Sequence, residues 1–434
     1  MNATRTLARI GAPGLLLACL WALSGGVAAA QDAPAPPATD EDETKGADVG
    51  DTISGDHPPE LKAEATSTQP HTAFEQKLAT YEGRPLPAIV YYGAQVLKMD
   101  PQFVADCRLG LEKLYLRDYK GAKAHFDGMG AKWPGTALAP VGQILVWQAM
   151  MLENFDFKYE SQYQTSYKRA RQELEEALLQ PGNEAWENFI LAGILGIDAI
   201  HVMRHEDYMT ALNRGYEAMK YVKKAKELAP GFSDAILGDG LFNYWVSVIS
   251  MSSKAIPDIG DRRQQGIQEM KTVEAEGVFL GPPATLGLTF TWIEENKNKE
   301  ALASALRNHN AYPDNVINDL VLSRVFMYNR KYADSERTLQ HVLAVAPDNE
   351  RAHYYLGRLY LRQSKNDLAE ASFGKYLAFS DVSDYDRAVA LYYLGVVHTR
   401  HKDLAKAEEC YKQAWKLGRI KRAKSRLDRM KDKK

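Results

Sequence analysis

The stretch ERAHYYLGRLYLRQSKNDLAEASFGKY, residues 350–376, decides the fold. It holds Leu356 and Gly357 in one apolar segment, and Ala369 and Phe373 in the next. Small residues at such positions let two helices approach closely, and an aromatic ring fills the groove that remains between them. The spacing therefore predicts a pair of antiparallel helices joined by a short turn.

The same pattern returns along the chain. Leu322 and Ser323 occupy the equivalent positions one repeat before Leu356 and Gly357. Leu394 and Gly395 follow at a slightly longer interval, and an earlier Leu-Gly pair occurs at 109–110. A single helix pair cannot bury its apolar face alone, so neighbouring pairs must stack. These repeats predict an extended array of stacked helix pairs.

This pattern resembles the tetratricopeptide repeat, in which a Leu-Gly pair lies on the first helix of each unit. The resemblance implies an all-α, right-handed superhelical solenoid of antiparallel helix pairs over residues 76–421. An irregular insert at about 233–285 departs from the repeat, and no convincing alternating strand pattern occurs. The clearest matches are residues 103–136, 316–349, 350–387 and 388–421.

The N-terminus has the pattern of an export signal. Arg5 and Arg9 precede an apolar stretch, and an Ala-x-Ala pattern follows at 28–30. We therefore expect residues 1–30 to be a signal peptide, and the mature protein to lie in the periplasm or at the outer membrane of a cell envelope. Lipoprotein processing is the alternative, since Cys19 ends a lipobox-like run and would then be lipidated.

Two charged segments flank the predicted solenoid. Residues 31–75 are rich in Pro, Ala and acidic side chains and nearly lack aromatic residues, which predicts a disordered linker. Residues 422–434 are predicted to form a basic helix or tail that either caps the array or contacts an anionic membrane or an acidic partner surface. Over the whole chain, 54 Lys and Arg face 56 Asp and Glu, which excludes a protein whose whole surface binds nucleic acid.

The concave face of tetratricopeptide arrays is lined mainly by the first helix of each unit. For the well-matched units the resemblance implies a groove rich in Arg and Tyr. Arg side chains bind carboxylates through two hydrogen bonds, so the predicted partner is an extended or acidic segment of another protein. The alternative is a solvated helix face. The predicted groove residues are Arg324, Tyr328, Arg351, Tyr354, Arg358, Arg362, Tyr392 and Arg400.

The insert is similar to the T-component proteins of tripartite periplasmic (TRAP) transporters, which are exported proteins of the same repeat type. The similarity implies an accessory protein that holds a small ligand in an apolar cavity near Tyr244 and Trp245. Asp258 and Arg262 in the following loop complete the possible ligand region.

The evidence for an enzyme is weak. His201 and His205 share one helix face, a spacing that suits a metal and makes a metal-dependent hydrolase the third alternative. No glutamate follows His201 in the zinc-protease pattern, and the spacing fixes no third ligand. Phosphate-loop, Gly-x-Ser-x-Gly and Cys-x-x-Cys motifs are absent. The sequence therefore predicts a non-enzymatic scaffold with no catalytic residue, no cofactor and no assigned metal site.

Overall fold

The computed structural model describes residues 86–205, 207–251, 260–380 and 382–431. These ranges form 18 α-helices and one 3₁₀ turn, Ser233–Ala235, and they contain no strand. The predicted all-α solenoid of antiparallel helix pairs is confirmed. The predicted signal peptide, acidic linker, Cys19 and Asp258 lie outside the described residues.

The helices follow one another with short connections. They are α1 Ala88–Leu97, α2 Pro101–Tyr115, α3 Tyr119–Lys132, α4 Leu138–Asn154, α5 Glu160–Ala177, α6 Glu184–Arg204, α7 Tyr208–Leu228, α8 Ile236–Ser250, α9 Arg263–Glu276, α10 Gly281–Glu294, α11 Asn298–Ala311, α12 Val316–Tyr328, α13 Tyr332–Val345, α14 Glu350–Arg362, α15 Asn366–Leu377, α16 Asp384–Arg400, α17 Leu404–Gly418 and α18 Lys421–Lys431. From α2 onward they pack in consecutive pairs, and α18 packs against α17 at the end of the array.

The repeat is visible in the backbone as well as in the sequence. In the last four helix pairs, from α10/α11 to α16/α17, the connection within the pair turns at a residue with a left-handed backbone: Asn296, Arg330, Ser364 and Lys402, with φ of 55°, 58°, 58° and 62°. The first three recur at a constant interval, and the last follows at the slightly longer interval that also separates the two late Leu-Gly pairs. The pair α10/α11, whose second helix matches the sequence pattern poorly, therefore has the same turn as its neighbours.

A glycine that faces an aromatic ring lets the two helices of a unit pack closely. A Cβ added to Gly357 would lie 2.8 Å from the ring of Phe373, and one added to Gly395 would lie 2.6 Å from the ring of Tyr411. Gly110 stands in the same relation to Phe126. The predicted role of the Leu-Gly pattern is thus observed as a direct contact.

The superhelix closes on itself. Helix α4 packs against both α12 and α14. The Asn315 side-chain amide donates to the carbonyl of Tyr115 at 2.9 Å, and that of Asn349 donates to the carbonyl of Glu153 at 2.8 Å. The Phe155 ring follows α4, and the Arg351 guanidinium from α14 lies 4.3 Å from its centroid. The first helices of the late units therefore face the early units rather than open solvent.

The region predicted as an irregular insert contains another helix pair, α8 and α9. These helices approach closely at Gly240 and Gly266, where a Cβ on Gly266 would lie 2.5 Å from the carbonyl oxygen of Gly240. The connection after α9 is fixed by Asp234, whose carboxylate accepts the backbone N–H groups of residues 278–280 at 2.7 Å each. This region therefore keeps the helix pair of the repeat and differs from it in the segments that connect the helices.

Helix α6 is the one helix of the described ranges that is long and apolar enough to cross a membrane. Most of its apolar stretch is buried against α7 and the surrounding helices, as is typical of a core helix. Its length and composition are therefore accounted for by its central place in the solenoid.

Candidate functional site

The predicted groove residues differ widely in exposure. The buried ones are Arg324, Arg351 and Tyr354, with 2%, 1% and 1% of their surface exposed. The half-buried ones are Tyr328, Arg358, Tyr392 and Arg400, and Arg362 is exposed. The structure therefore does not arrange the eight side chains as one open surface.

The expected exposure of Arg324, Arg351 and Tyr354 is wrong. Tyr354 is covered by the rings of Phe373, Tyr376 and Tyr393 on the next two helices. For Arg351 the reason is closure of the superhelix. The repeat template assumes an open concave face, whereas here the segment from α4 to Phe155 lies against α14. Arg351 donates to the carboxylate of Asp386 at 2.9 Å, a bond that joins α14 to α16 inside the protein. These side chains hold the solenoid together and are covered by it.

Part of the predicted groove does come together around Tyr328. Burial raises the pKa of the Tyr328 phenol, but the nearby guanidinium groups of Arg324, Arg358 and Arg362 outweigh burial and lower that pKa to about 8. Arg358 also lies 5.1 Å from the ring centroid of Tyr393. Within the described ranges, Arg358 and Arg362 have no carboxylate at ion-pair distance. We call the less buried part of this group, Tyr328, Arg358 and Arg362, the arginine edge.

The remaining two groove residues serve packing between neighbouring helices. Arg400 donates to the carbonyl of Leu361 at 2.7 Å and so satisfies a backbone acceptor near the end of α14. The Tyr392 ring lies 5.9 Å from that of Tyr411, and burial raises the pKa of its phenol. Neither residue contributes to the charge around Tyr328.

The interior of the closed superhelix contains an apolar cavity of about 430 Å³. Its wall comes from helices α2 to α4, α6 to α8 and α10 to α12 and from the connections near residues 234 and 280. The few polar side chains at its wall include Gln148, Asp234 and Asn308. Asp234 accepts three backbone N–H groups, so its carboxylate is already engaged. The cavity suits an apolar molecule, or the apolar part of a larger one.

The predicted ligand region is not assembled at this cavity. Tyr244 and Trp245 are buried on the other side of α8, where the Tyr244 hydroxyl donates to Glu295 at 3.0 Å and the two rings meet edge to face. Arg262 is exposed, and Asp258 is outside the described ranges. The residues of α8 that line the cavity include Leu241, Phe242 and Val246.

The cavity lining is what sequence reasoning missed. The available signal was the all-round apolar character of residues 191–197 in α6, which is typical of a helix packed on every side. That signal indicates burial, and it does not distinguish a filled core from a core with a cavity.

His201 and His205 lie together with a third side chain, Glu160, at the start of α5. The Glu160 carboxylate lies 2.6 Å from Nε2 of His201 and 3.3 Å from Nε2 of His205. His201 is fully buried, and burial is the main reason that its pKa is lowered to about 4. Sequence reasoning missed Glu160 because it lies on a different helix, far before His201 in the chain.

Residues 320–384 match the family model of the tetratricopeptide repeat. Residues 320–384 of this chain are tetratricopeptide repeats. The matched span begins in α12 and ends at the first residue of α16, so it includes the whole arginine edge. No curated protein matches the chain significantly.

Solved structures of other proteins are similar to parts of this chain. The Cut9–Hcn1 hetero-tetramer of the APC/C is similar over 74% of this chain and 68% of its own, at 13% identity and a TM-score of 0.40. The human IFIT1 dimer with PPP-AAAA is similar over 76% of this chain and 80% of its own, at 12% identity and a TM-score of 0.38.

Proposed function

We propose that the protein is a non-enzymatic scaffold that binds a protein partner at the arginine edge. The observation that carries this proposal is the group of three guanidinium groups around the Tyr328 hydroxyl. Repeats of this family commonly form scaffolds, and the family match spans these residues. The partner would supply an acidic segment, because carboxylates complement this excess of positive charge.

The half-buried position of Arg358 favours such a contact. A charge-assisted hydrogen bond gains strength where water is partly excluded, and Arg can hold a carboxylate through two parallel bonds. Tyr328 adds a flat ring that loses little conformational entropy on binding. Exposed Arg362 would make the first encounter, and Arg358 would fix the orientation of the partner.

Site-specific photocrosslinking in the native cell tests this proposal. A photoreactive amino acid in place of Arg362 should capture a specific protein, whereas the same residue in place of Arg337 on α13, whose side chain is 65% exposed, should not. Arg358→Glu should abolish the capture from position 362. Equal capture at both positions, or capture that survives Arg358→Glu, would contradict a binding site at the arginine edge.

A second candidate function, favoured by the cavity, is binding of an apolar small molecule, as in a T-component-like accessory protein. A volume of about 430 Å³ falls within the range of known ligand pockets. Its wall consists mainly of Leu, Ile, Val, Phe, Tyr and Ala side chains. The ligand would therefore be an apolar organic molecule or the hydrocarbon part of an amphiphile.

Two glycines provide a matched test of cavity binding. Gly193 lines the cavity and a Cβ added there meets nothing within 4 Å, so Gly193→Leu places its side chain in the empty space. Gly128 on α3 is exposed, and a Cβ added there also meets nothing within 4 Å. We expect fluorescence of N-phenyl-1-naphthylamine to report binding to the wild type and to Gly128→Leu, and to fall sharply in Gly193→Leu. Equal binding by all three proteins would place the dye elsewhere.

We also propose that the scaffold is exported to the periplasm or envelope. The support is the charged, apolar and Ala-x-Ala pattern of residues 1–30. Cell fractionation and N-terminal sequencing of the mature protein test this location. Cys19→Ser distinguishes the two routes, because it blocks membrane retention of a lipoprotein and leaves cleavage after a conventional signal unchanged.

A further inference from the structure

The ends of α5 and α6 bring together three side chains that suit a divalent metal ion. Glu160 is the first residue of α5, His201 lies in the last turn of α6, and His205 follows α6 as its C-terminal cap. One candidate ligand atom from each lies within 4.8 Å of the other two. Both imidazole Nε2 atoms face the same carboxylate oxygen of Glu160.

These distances are close to those of a tetrahedral zinc site. Zinc lies about 2.0–2.2 Å from imidazole nitrogen and carboxylate oxygen, so two of its ligand atoms lie about 3.4 Å apart. The Glu160 to His205 separation of 3.3 Å already fits. The Glu160 to His201 separation of 2.6 Å is that of a hydrogen bond, and it must lengthen. The Glu160 side chain is 34% exposed and at a helix start, so it has room to move.

The rings of both histidines are held by their surroundings. His201 stacks on Tyr163 with centroids 4.1 Å apart, and His205 stacks on Phe157 at 3.9 Å. Nδ1 of His201 lies 3.3 Å from the side-chain oxygen of Gln148. A proton on Nδ1 would be donated to Gln148, which leaves the lone pair of Nε2 for the metal. Such supporting contacts orient ligands in known metal sites.

The local charge is compatible with a bound cation. The Nε2 atoms of His201 and His205 and the carboxylate of Glu160 would supply three electron-pair donors to the cation. Glu160 is the acidic side chain of the cluster, and its carboxylate would offset part of the charge of a divalent cation. Arg204 opposes a dication, but its guanidinium faces the rings of Phe155 and Phe157 and a backbone carbonyl.

We propose that Glu160, His201 and His205 form a binding site for a zinc-class divalent cation. Two imidazoles and one carboxylate leave a fourth position on the side of His205, which is 42% exposed. The cation would link the start of α5 to the end of α6 and accept a water or an external ligand at the open position. This site is separate from the arginine edge and does not depend on the proposed partner.

Titration of the metal-free, full-length protein with Co²⁺ and Zn²⁺ tests the site. We expect one equivalent of Co²⁺ to give the visible absorption bands of a four-coordinate complex, and Zn²⁺ to displace it. His205→Ala and Glu160→Gln should weaken binding more than about tenfold while leaving the helical circular dichroism intact. Zn²⁺ should raise the unfolding temperature of the wild type and not that of His205→Ala.

His401 provides a matched control. It is partly exposed and lies 3.4 Å from carboxylate oxygens of both Asp367 and Glu370, but these do not form a comparable cluster. His401→Ala should leave Co²⁺ binding unchanged. Absence of binding by the wild type, or binding that survives both His205→Ala and Glu160→Gln, would overturn the proposal.

Discussion

At the scale of single residues, the repeat depends on a glycine that faces an aromatic ring. A Cβ at Gly357 would come within 2.8 Å of the Phe373 ring, which is rigid and buried. We expect Gly357→Ala to lower the free energy of unfolding by about 1–3 kcal/mol, because the helices of the unit must move apart. Gly374→Ala is the control: it lies in α15 in open space and should stabilise by about 0.5–1 kcal/mol. Urea denaturation measures both, and equal effects would contradict the packing argument.

Arg351 illustrates how a predicted binding residue becomes a structural one. Its guanidinium pairs with Asp386 and lies against Phe155, with 1% of the residue exposed. Removing one partner leaves a buried charge, so Arg351→Ala should cost about 3–5 kcal/mol of stability. Arg337→Ala, which removes an exposed ion pair with Asp334, should cost less than about 0.5 kcal/mol. Denaturant titration distinguishes them, and a small loss for Arg351→Ala would restore it as a candidate surface residue.

At the scale of helices, a carboxylate clamped by two histidines joins α11, α12 and α13. Buried Asp319 accepts from His309 at 2.6 Å and from His341 at 2.8 Å. Hydrogen bonds to Asp314 and Asp319 raise the pKa of His341 to about 10, against about 6.5 for an unfolded histidine. Its protonated form therefore stabilises the fold fully below pH 6.5, and this contribution is lost as the pH rises towards 10.

We expect the unfolding temperature of the wild type to fall between pH 6.5 and 10, and to fall less in His341→Gln. Asp314→Asn should reduce the same pH dependence, because it removes one of the two carboxylates that hold the proton. Calorimetry at pH 6 and pH 9.5 gives the difference. Parallel profiles for wild type and His341→Gln would show that this cluster does not control stability in that range.

The helix pairs were predictable because their contacts are local in sequence. Gly357 and Phe373 lie on consecutive helices, and the same short interval separates Gly395 from Tyr411. The unit around Asn296 shows the limit of pattern matching. Its second helix lacks strong signature residues, yet its backbone turns at the position equivalent to Arg330. We infer that stacking on regular neighbours fixes the shape of this second helix, whose own residues match the pattern weakly.

At the scale of the whole molecule, closure decides which surfaces are available. The contacts that close the superhelix join residues 200 positions apart, such as Tyr312 with Glu112. Such contacts depend on small rotations accumulated over every unit, and a single repeat in the sequence does not contain that information. This is why the sequence predicted a groove of eight residues, of which only the three of the arginine edge come together at the surface. It is also why the cavity and the position of Glu160 beside the two histidines were not predicted.

Two asparagines make the closure testable without disturbing a helix. Asn349 caps α14 by accepting the N–H of Ala352 through Oδ1, while Nδ2 donates to Glu153 on α4. Asn315 makes the same two kinds of bond: its Oδ1 accepts the N–H of Asn318, and its Nδ2 donates to the carbonyl of Tyr115. Aspartate keeps the side-chain oxygen that accepts the backbone N–H, so Asn→Asp should preserve each helix cap. It lacks the N–H donor, so its carboxylate would repel the carbonyl oxygen of Tyr115 or Glu153 that the amide now binds.

We expect Asn315→Asp combined with Asn349→Asp to open the superhelix. Small-angle X-ray scattering should show a larger radius of gyration with unchanged helical circular dichroism. N-phenyl-1-naphthylamine should bind less, because the cavity wall includes both the early helices α2 to α4 and the late helices α10 to α12, which these contacts hold together. Asn298→Asp adds one negative charge at the exposed start of α11 and should change neither measurement. If the double variant kept the wild-type radius and dye binding, these two amides would act only as local caps, and the packing of α4 against α12 and α14 would by itself hold the superhelix closed.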